Sequence, residues 1–234
     1  MRVIGLADVR NSIRSTFGAP LFVGQHLSRL PHVEQVERTV DESTWSVPES
    51  EGETHGRAQQ HREEGIGPLV VRRFAITIEE PDASAPEAFR RFADAPNRAV
   101  PQHVAGFMRG HRGIRDLRVG DEFDVEMPGP WRAPVRVDRR TEQSLTLVTL
   151  RGHMEAGHIE FATVQHGDDV EFTITSWARA GDRLFHLLHV QTPVARAAQA
   201  AMWIHTCDRM AQVAGGRRRG PIRVVTETIR DSDA

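Results

Sequence analysis

The sequence predicts an α+β fold in which an antiparallel sheet is closed by one long C-terminal helix, and three stretches carry that expectation. Residues 145–150 are β-branched or apolar with almost no turn formers, as in a largely buried strand. Residues 158–163 and 170–175 then alternate apolar and polar side chains around the polar turn Gln165-His166-Gly167-Asp168-Asp169, which reads as an antiparallel hairpin with one face on a core. From Pro193 to Ala214 the period becomes helical: Ala200, Trp203, Ile204, Cys207, Met210 and Ala211 share one side, and His205, Asp208, Arg209 and Gln212 the other. Such a helix spans roughly 30 Å at 1.5 Å per residue. A late amphipathic helix after alternating strands needs one apolar sheet face to cover.

In chain order, residues 1–66 read as an irregular N-terminal extension, partly helical. Val9, Ile13 and Phe17 stand four apart before Gly18 and Pro20, which suits a short helix over 6–17, and residues 33–40 read as another helical turn or two. Residues 43–65 turn polar and predict a long surface connection. The extension either wraps the core or pairs two copies as a homodimer. The domain proper spans 67–216. Its first strand covers 69–79, with Val70, Phe74, Ile76 and Ile78 on one face and Arg72 interrupting that face. Ser84, Pro86 and Glu87 supply an N-cap, an early proline and an acidic first turn for a short helix, and residues 104–108 read as a second. Strands follow at 121–127 and 134–139, joined by the rigid turn Pro128-Gly129-Pro130-Trp131, whose aromatic either plugs the core or walls a pocket mouth. Gly215-Gly216 stops the long helix. Residues 217–234 form a tail whose weak alternation from Ile222 to Ile229 suggests one extra strand.

Bulk composition narrows the function classes. With 39% hydrophobic and 26% charged residues among 234, the chain has the balance of a soluble globule, and a formal net charge of −2 gives no pull toward nucleic acid or an anionic membrane. The run Arg217-Arg218-Arg219 complements the end of the long helix as well as it would a phosphate backbone, so no nucleic-acid partner is expected. No segment approaches the roughly 20 apolar residues of a membrane span, and the start lacks a signal-length apolar run; a cytoplasmic location without a membrane partner is expected. Lys and Tyr are both missing, a bias of the kind a GC-rich bacterial genome imposes, which excludes a lysine Schiff base and a tyrosine acid. The single cysteine, Cys207, excludes an intrachain disulfide and a cysteine-rich zinc site.

Several separated motifs occur in a fixed order: Thr149-Leu150-x-Gly152-His153-x-x-x-Gly157-x-Ile159-x-Phe161, then Ser176-Trp177-Ala178-Arg179-x-Gly181-Asp182, then Gln199-x-x-Met202-Trp203. With Val119-Gly120-Asp121 and Gly129-Pro130-Trp131 upstream, they resemble a family labelled a domain of unknown function, number nineteen-ninety, over roughly 67–216. That family is similar to the START and birch-pollen-allergen-like (SRPBCC) superfamily. The resemblance implies a helix-grip, START-like fold: a curved antiparallel sheet of six or seven strands gripping the long helix, with a pocket between them.

Two functions from different classes fit such a pocket. In the first, Phe74, Phe123, Trp131, Phe161, Phe172 and Trp203 line it and hold a small apolar or aromatic molecule. In the second, it belongs to a cyclase or dehydratase-type enzyme, with His153 exchanging protons and Asp121 and Arg179 meeting polar groups of a metabolite. The plainer alternatives are that His153 fixes its turn through the backbone, that Asp121 and Arg179 form a structural ion pair, and that side chains fill the cavity. The 109–118 loop, rich in arginine, is either an anion clamp or a solvated bend. No phosphate-cradling loop, dinucleotide fingerprint or nucleophile elbow occurs, so no cofactor is expected. Twelve histidines include His186 with His189 and His153 with His158, yet no third ligand is fixed by spacing, and no metal is expected.

Overall fold

The computed structural model describes residues 32–41, 56–101, 106–109, 112–126, 132–183 and 193–229. Its strands are β1 (Val33–Val40), β2 (Ile66–Glu79), β3 (Gly106–Arg109), β4 (Arg112–Gly113), β5 (Glu122–Glu126), β6 (Arg132–Arg140), β7 (Ser144–Thr149), β8 (Glu155–His166), β9 (Asp169–Ala180) and β10 (Arg217–Ile229). Among the described residues they form one sheet in the order β1-β10-β2-β9-β8-β7-β6-β5-β3-β4. Every pairing is antiparallel except that of β1 with β10.

The period-two pattern decides which face is covered. On β2, Phe74, Ile76 and Ile78 point to one face and are fully buried, in register with Ile174, Phe172 and Val170 of β9. Two helices cover this inner face. One, α1 (Ala85–Asp94), buries Ala85, Ala88, Phe89, Phe92 and Ala93. Phe92 meets Phe161 and Phe172 at ring-centroid separations of 5.2 and 5.5 Å. The other, α2 (Pro193–Val213), lies against β2, β9 and β10 and buries Met202, Trp203, Ile204, Cys207, Met210 and Ala211. Its end is a Schellman-type stop: Gly216 N–H donates to the Ala211 carbonyl at 2.9 Å, and Gly215 takes φ +70°.

The structure corrects several expectations. Residues 33–40 are a strand, not helical turns. Valines at 33, 36 and 40 imitate a helical period, but β1 is an edge strand solvated on both faces, so no alternation marks it. The second short helix gives way, at Gly106–Arg109, to β3, paired with β5; residues 102–105 lie outside the described set. The sheet has ten strands rather than six or seven, because β1, β10 and the short β3 and β4 extend it. Ser84 stands at the N-cap of α1, yet its hydroxyl makes no cap bond; the Gln165 side chain accepts from Ala85 N–H at 2.9 Å instead. The 6–17 helix, the 128–131 turn with Trp131, and His186 with His189 lie outside the described residues.

Candidate functional site

A cavity of about 570 Å³ lies between the inner sheet face and α2. Its apolar wall is made by Phe107, Leu147, Ile159 and Phe161 of the sheet with Met202 and Trp203 of α2. Phe161 and Trp203 meet edge to face, with centroids 5.6 Å apart and planes at 65°. The polar wall comes from Arg72, Ser176, Thr226 and Glu155 on the sheet and Gln199 on the helix. Of the other aromatic candidates, Phe74 and Phe172 pack in the core beside the cavity, and Phe123 sits behind Phe107 at 5.5 Å.

The three acid-base candidates part company. His153 borders the cavity from the turn between β7 and β8. Its Nδ1 lies 2.8 Å from the Glu155 backbone nitrogen and 2.9 Å from the Glu155 carbonyl oxygen, so it accepts from the first in one tautomer and donates to the second in the other, and in both it fixes the turn. Burial pushes its pKa down to about 4, so the ring is neutral at neutral pH. Arg179 also borders the cavity and donates to the Gly67 carbonyl. Asp121 lies elsewhere, at the turn before β5, where its carboxylate accepts from Arg118 N–H at 2.9 Å.

The turn that carries His153 is held from the N-terminal side. Gln60 donates through Nε2 to the carbonyls of His153 (3.1 Å) and Glu155 (3.3 Å), and its Oε1 accepts from Gly152 N–H at 3.2 Å. Residues 56–65, expected as surface connection, therefore pin the site: Gln60 N–H also bonds the Thr149 carbonyl, and Arg151 N–H the Ala58 carbonyl, each at 2.9 Å. Two motif glycines serve the same packing. A Cβ at Gly157 would lie 1.9 Å from the Trp177 carbonyl oxygen, and one at Gly181 would lie 2.6 Å from the His153 carbonyl.

The polar residues missed from the sequence are Glu155, Gln199 and Arg72. Gln199 Nε2 donates to Glu155 Oε1 at 3.2 Å, tying α2 to the start of β8. Burial raises the Glu155 pKa, opposed by the Gln199 bond and the Arg72 charge. Signals existed for two of them: Gln199 stands in the third motif, and Arg72 breaks an apolar strand face. Among the described residues, no group of three or more His, Cys, Asp or Glu side chains is placed to hold a metal ion.

Residues 70–209 match the profile of the family described as a domain of unknown function (DUF1990), and the chain belongs to that family. Among solved structures, a conserved protein from Geobacillus kaustophilus is 13% identical over 64% of this chain and 99% of its own, with a TM-score of 0.40. The di-domain ARO/CYC StfQ of the steffimycin biosynthetic pathway is 14% identical over 66% of this chain and 52% of its own, with a TM-score of 0.43. DynU16, a protein of the dynemicin biosynthetic locus, is 13% identical over 64% of this chain, with a TM-score of 0.38; the chain covers 49% of its length. No curated protein matches the sequence. No helix among the described residues is long and apolar enough to cross a membrane.

Proposed function

We propose that this protein is a helix-grip, START-like binding protein that holds an apolar or aromatic small molecule between its sheet and α2. The observation that carries this reading is the 570 Å³ cavity, large enough for a metabolite and walled on the sheet side by Phe107, Leu147 and Phe161 and on the helix side by Met202 and Trp203. A side-chain-filled core would leave no such space. Native mass spectrometry of the purified protein, followed by denaturation, is the test. A released apolar molecule in one-to-one ratio supports binding and names its class. Failure of every apolar and aromatic compound in a thermal-shift panel to raise the melting temperature would overturn it.

A second reading, acid-base catalysis of cyclase or dehydratase type, is favoured by one observation: the Glu155 carboxyl reaches the same cavity with its pKa raised by burial, as a general acid requires. Glu155→Gln protein would then carry a bound molecule different in mass from that of the wild type. Identical bound molecules would remove the catalytic reading and leave the binding one.

A further inference from the structure

The inner face of the sheet is divided along the strand order, and the division bears on what kind of molecule the cavity takes. One cross-strand row runs through its middle. Glu37 of β1 is in register with Thr226 of β10, Thr226 with Arg72 of β2, and Arg72 with Ser176 of β9. The row continues from Ser176 to Ile159 of β8 and then to Leu147 of β7. All six line the cavity. Four polar positions on β1, β10, β2 and β9 thus meet two apolar ones on β8 and β7. Next along the strands on one side comes a row with Val224, Phe74, Ile174 and Phe161, apolar from β10 to β8 and ending in Gln35 on the edge strand β1.

Arg72 is the odd member of its strand. The inner-face neighbours on β2 are Val70 and Phe74, and the half-buried guanidinium between them places a positive charge on the cavity wall. Placed there with a hydroxyl on each side, from Thr226 and Ser176, it presents a row of donors toward the cavity. Glu155 is the half-buried acid facing the same space; it feels the Arg72 charge, accepts from Gln199, and is shifted by desolvation toward its neutral form. Glu37, at the solvated edge, ends the row.

We propose that the molecule held in the cavity is an amphiphilic acid, with its carboxylate at Arg72, Thr226 and Ser176 and its apolar body running under α2 toward Phe161 and Phe107. This rests on the binding reading above and adds the head group and its direction. A bidentate carboxylate suits a guanidinium fork, and flanking hydroxyls can each donate one further bond. The apolar half of the row then receives the rest of the molecule.

The test is calorimetric titration of the full chain with 2-naphthylacetate and with its neutral isostere 2-naphthylacetamide. The wild type is expected to bind the carboxylate at least about tenfold more tightly, and Arg72→Gln to abolish that preference while binding the amide as before. Should Arg72→Gln not fold, the double variant Ser176→Ala, Thr226→Val leaves the guanidinium in place and is expected to cut carboxylate affinity at least about threefold without changing the amide. Equal affinity of the wild type for both compounds would overturn the head-group assignment and leave the cavity reading standing. So would a preference that survives Arg72→Gln or, where that variant does not fold, one that the double variant leaves undiminished. Binding of neither compound would overturn both.

Discussion

At Gly157 the backbone takes φ +152°, and the Trp177 carbonyl oxygen occupies the place where a Cβ would stand. Its N–H donates to Thr149 Oγ1 at 2.9 Å, and that hydroxyl in turn donates to the Gln60 carbonyl at 3.0 Å, so one glycine ties β8, β7 and the N-terminal segment together. Gly157→Ala must push two strands apart, and we expect it to destabilise the fold by about 3 kcal/mol or more, read from urea denaturation; a loss under about 1 kcal/mol would mean the strands separate freely. His153 gives a pH signature. Its folded pKa of about 4 lies below the ordinary value of 6.5, so the stability it contributes is complete above pH 6.5 and is lost as pH falls toward 4. Burial lowers His158 in the same direction, while the raised Glu155 acts oppositely, contributing at low pH and costing stability as it ionises. His153→Asn keeps an acceptor for the Glu155 N–H without the titration. Between pH 6.5 and 4.5 the wild type should lose more stability than this variant, by up to roughly 2 kcal/mol and less for the part of the ring that solvent reaches. Parallel curves would contradict the assignment. The sequence pointed to His153, Arg179, Phe161 and Trp203 on the cavity because motifs or apolar alternation marked them. Glu155 stayed hidden because it falls just before the alternation begins, where the chain still reads as a turn, and Arg72 because one charge on an apolar face looks like an interruption.

Elements with one buried face were legible, and those with two solvated faces were not. The hairpin of β8 and β9 and the helix α2 bury a stripe, so burial imposes the period that the sequence then displays, while β7, buried on both faces, shows as an unbroken β-branched and apolar run. The edge strand β1 displays none, and its place was invisible until its partner β10 was known. Their pairing includes one interaction with a clear energetic consequence. Glu227 on β10 is fully buried, and Arg38 of β1, about half exposed, donates to its Oε1 through both Nε and Nη2. Arg38→Ala strands that carboxylate in the interior, and we expect a loss of about 1–3 kcal/mol in thermal or urea denaturation. Arg38→Ala combined with Glu227→Gln should recover much of it, since a neutral amide costs less to bury. A single variant as stable as wild type would show that solvent reaches Glu227 around the edge.

On the scale of the whole molecule, the strand order sets where a ligand can sit. Helix α2 spans the β10, β2 and β9 side, α1 packs on β8, and the unfilled volume is left under α2 where the sheet carries both its polar row and its apolar wall. Filling that volume from a core position separates the ligand site from the fold that makes it. Ala133 of β6 lines the cavity, is buried, and belongs to the apolar wall, three strands beyond β9, the last strand of the polar row. The deciding measurement is titration with the neutral fluorophore N-phenyl-1-naphthylamine, comparing wild type with Ala133→Trp, both checked for cooperative thermal unfolding. A cavity that binds apolar molecules gives saturable, one-to-one enhancement in the wild type, weakened about tenfold or more in the folded variant. Equal enhancement in both proteins would place the fluorophore elsewhere, and contradict the sheet-helix cavity as the binding site.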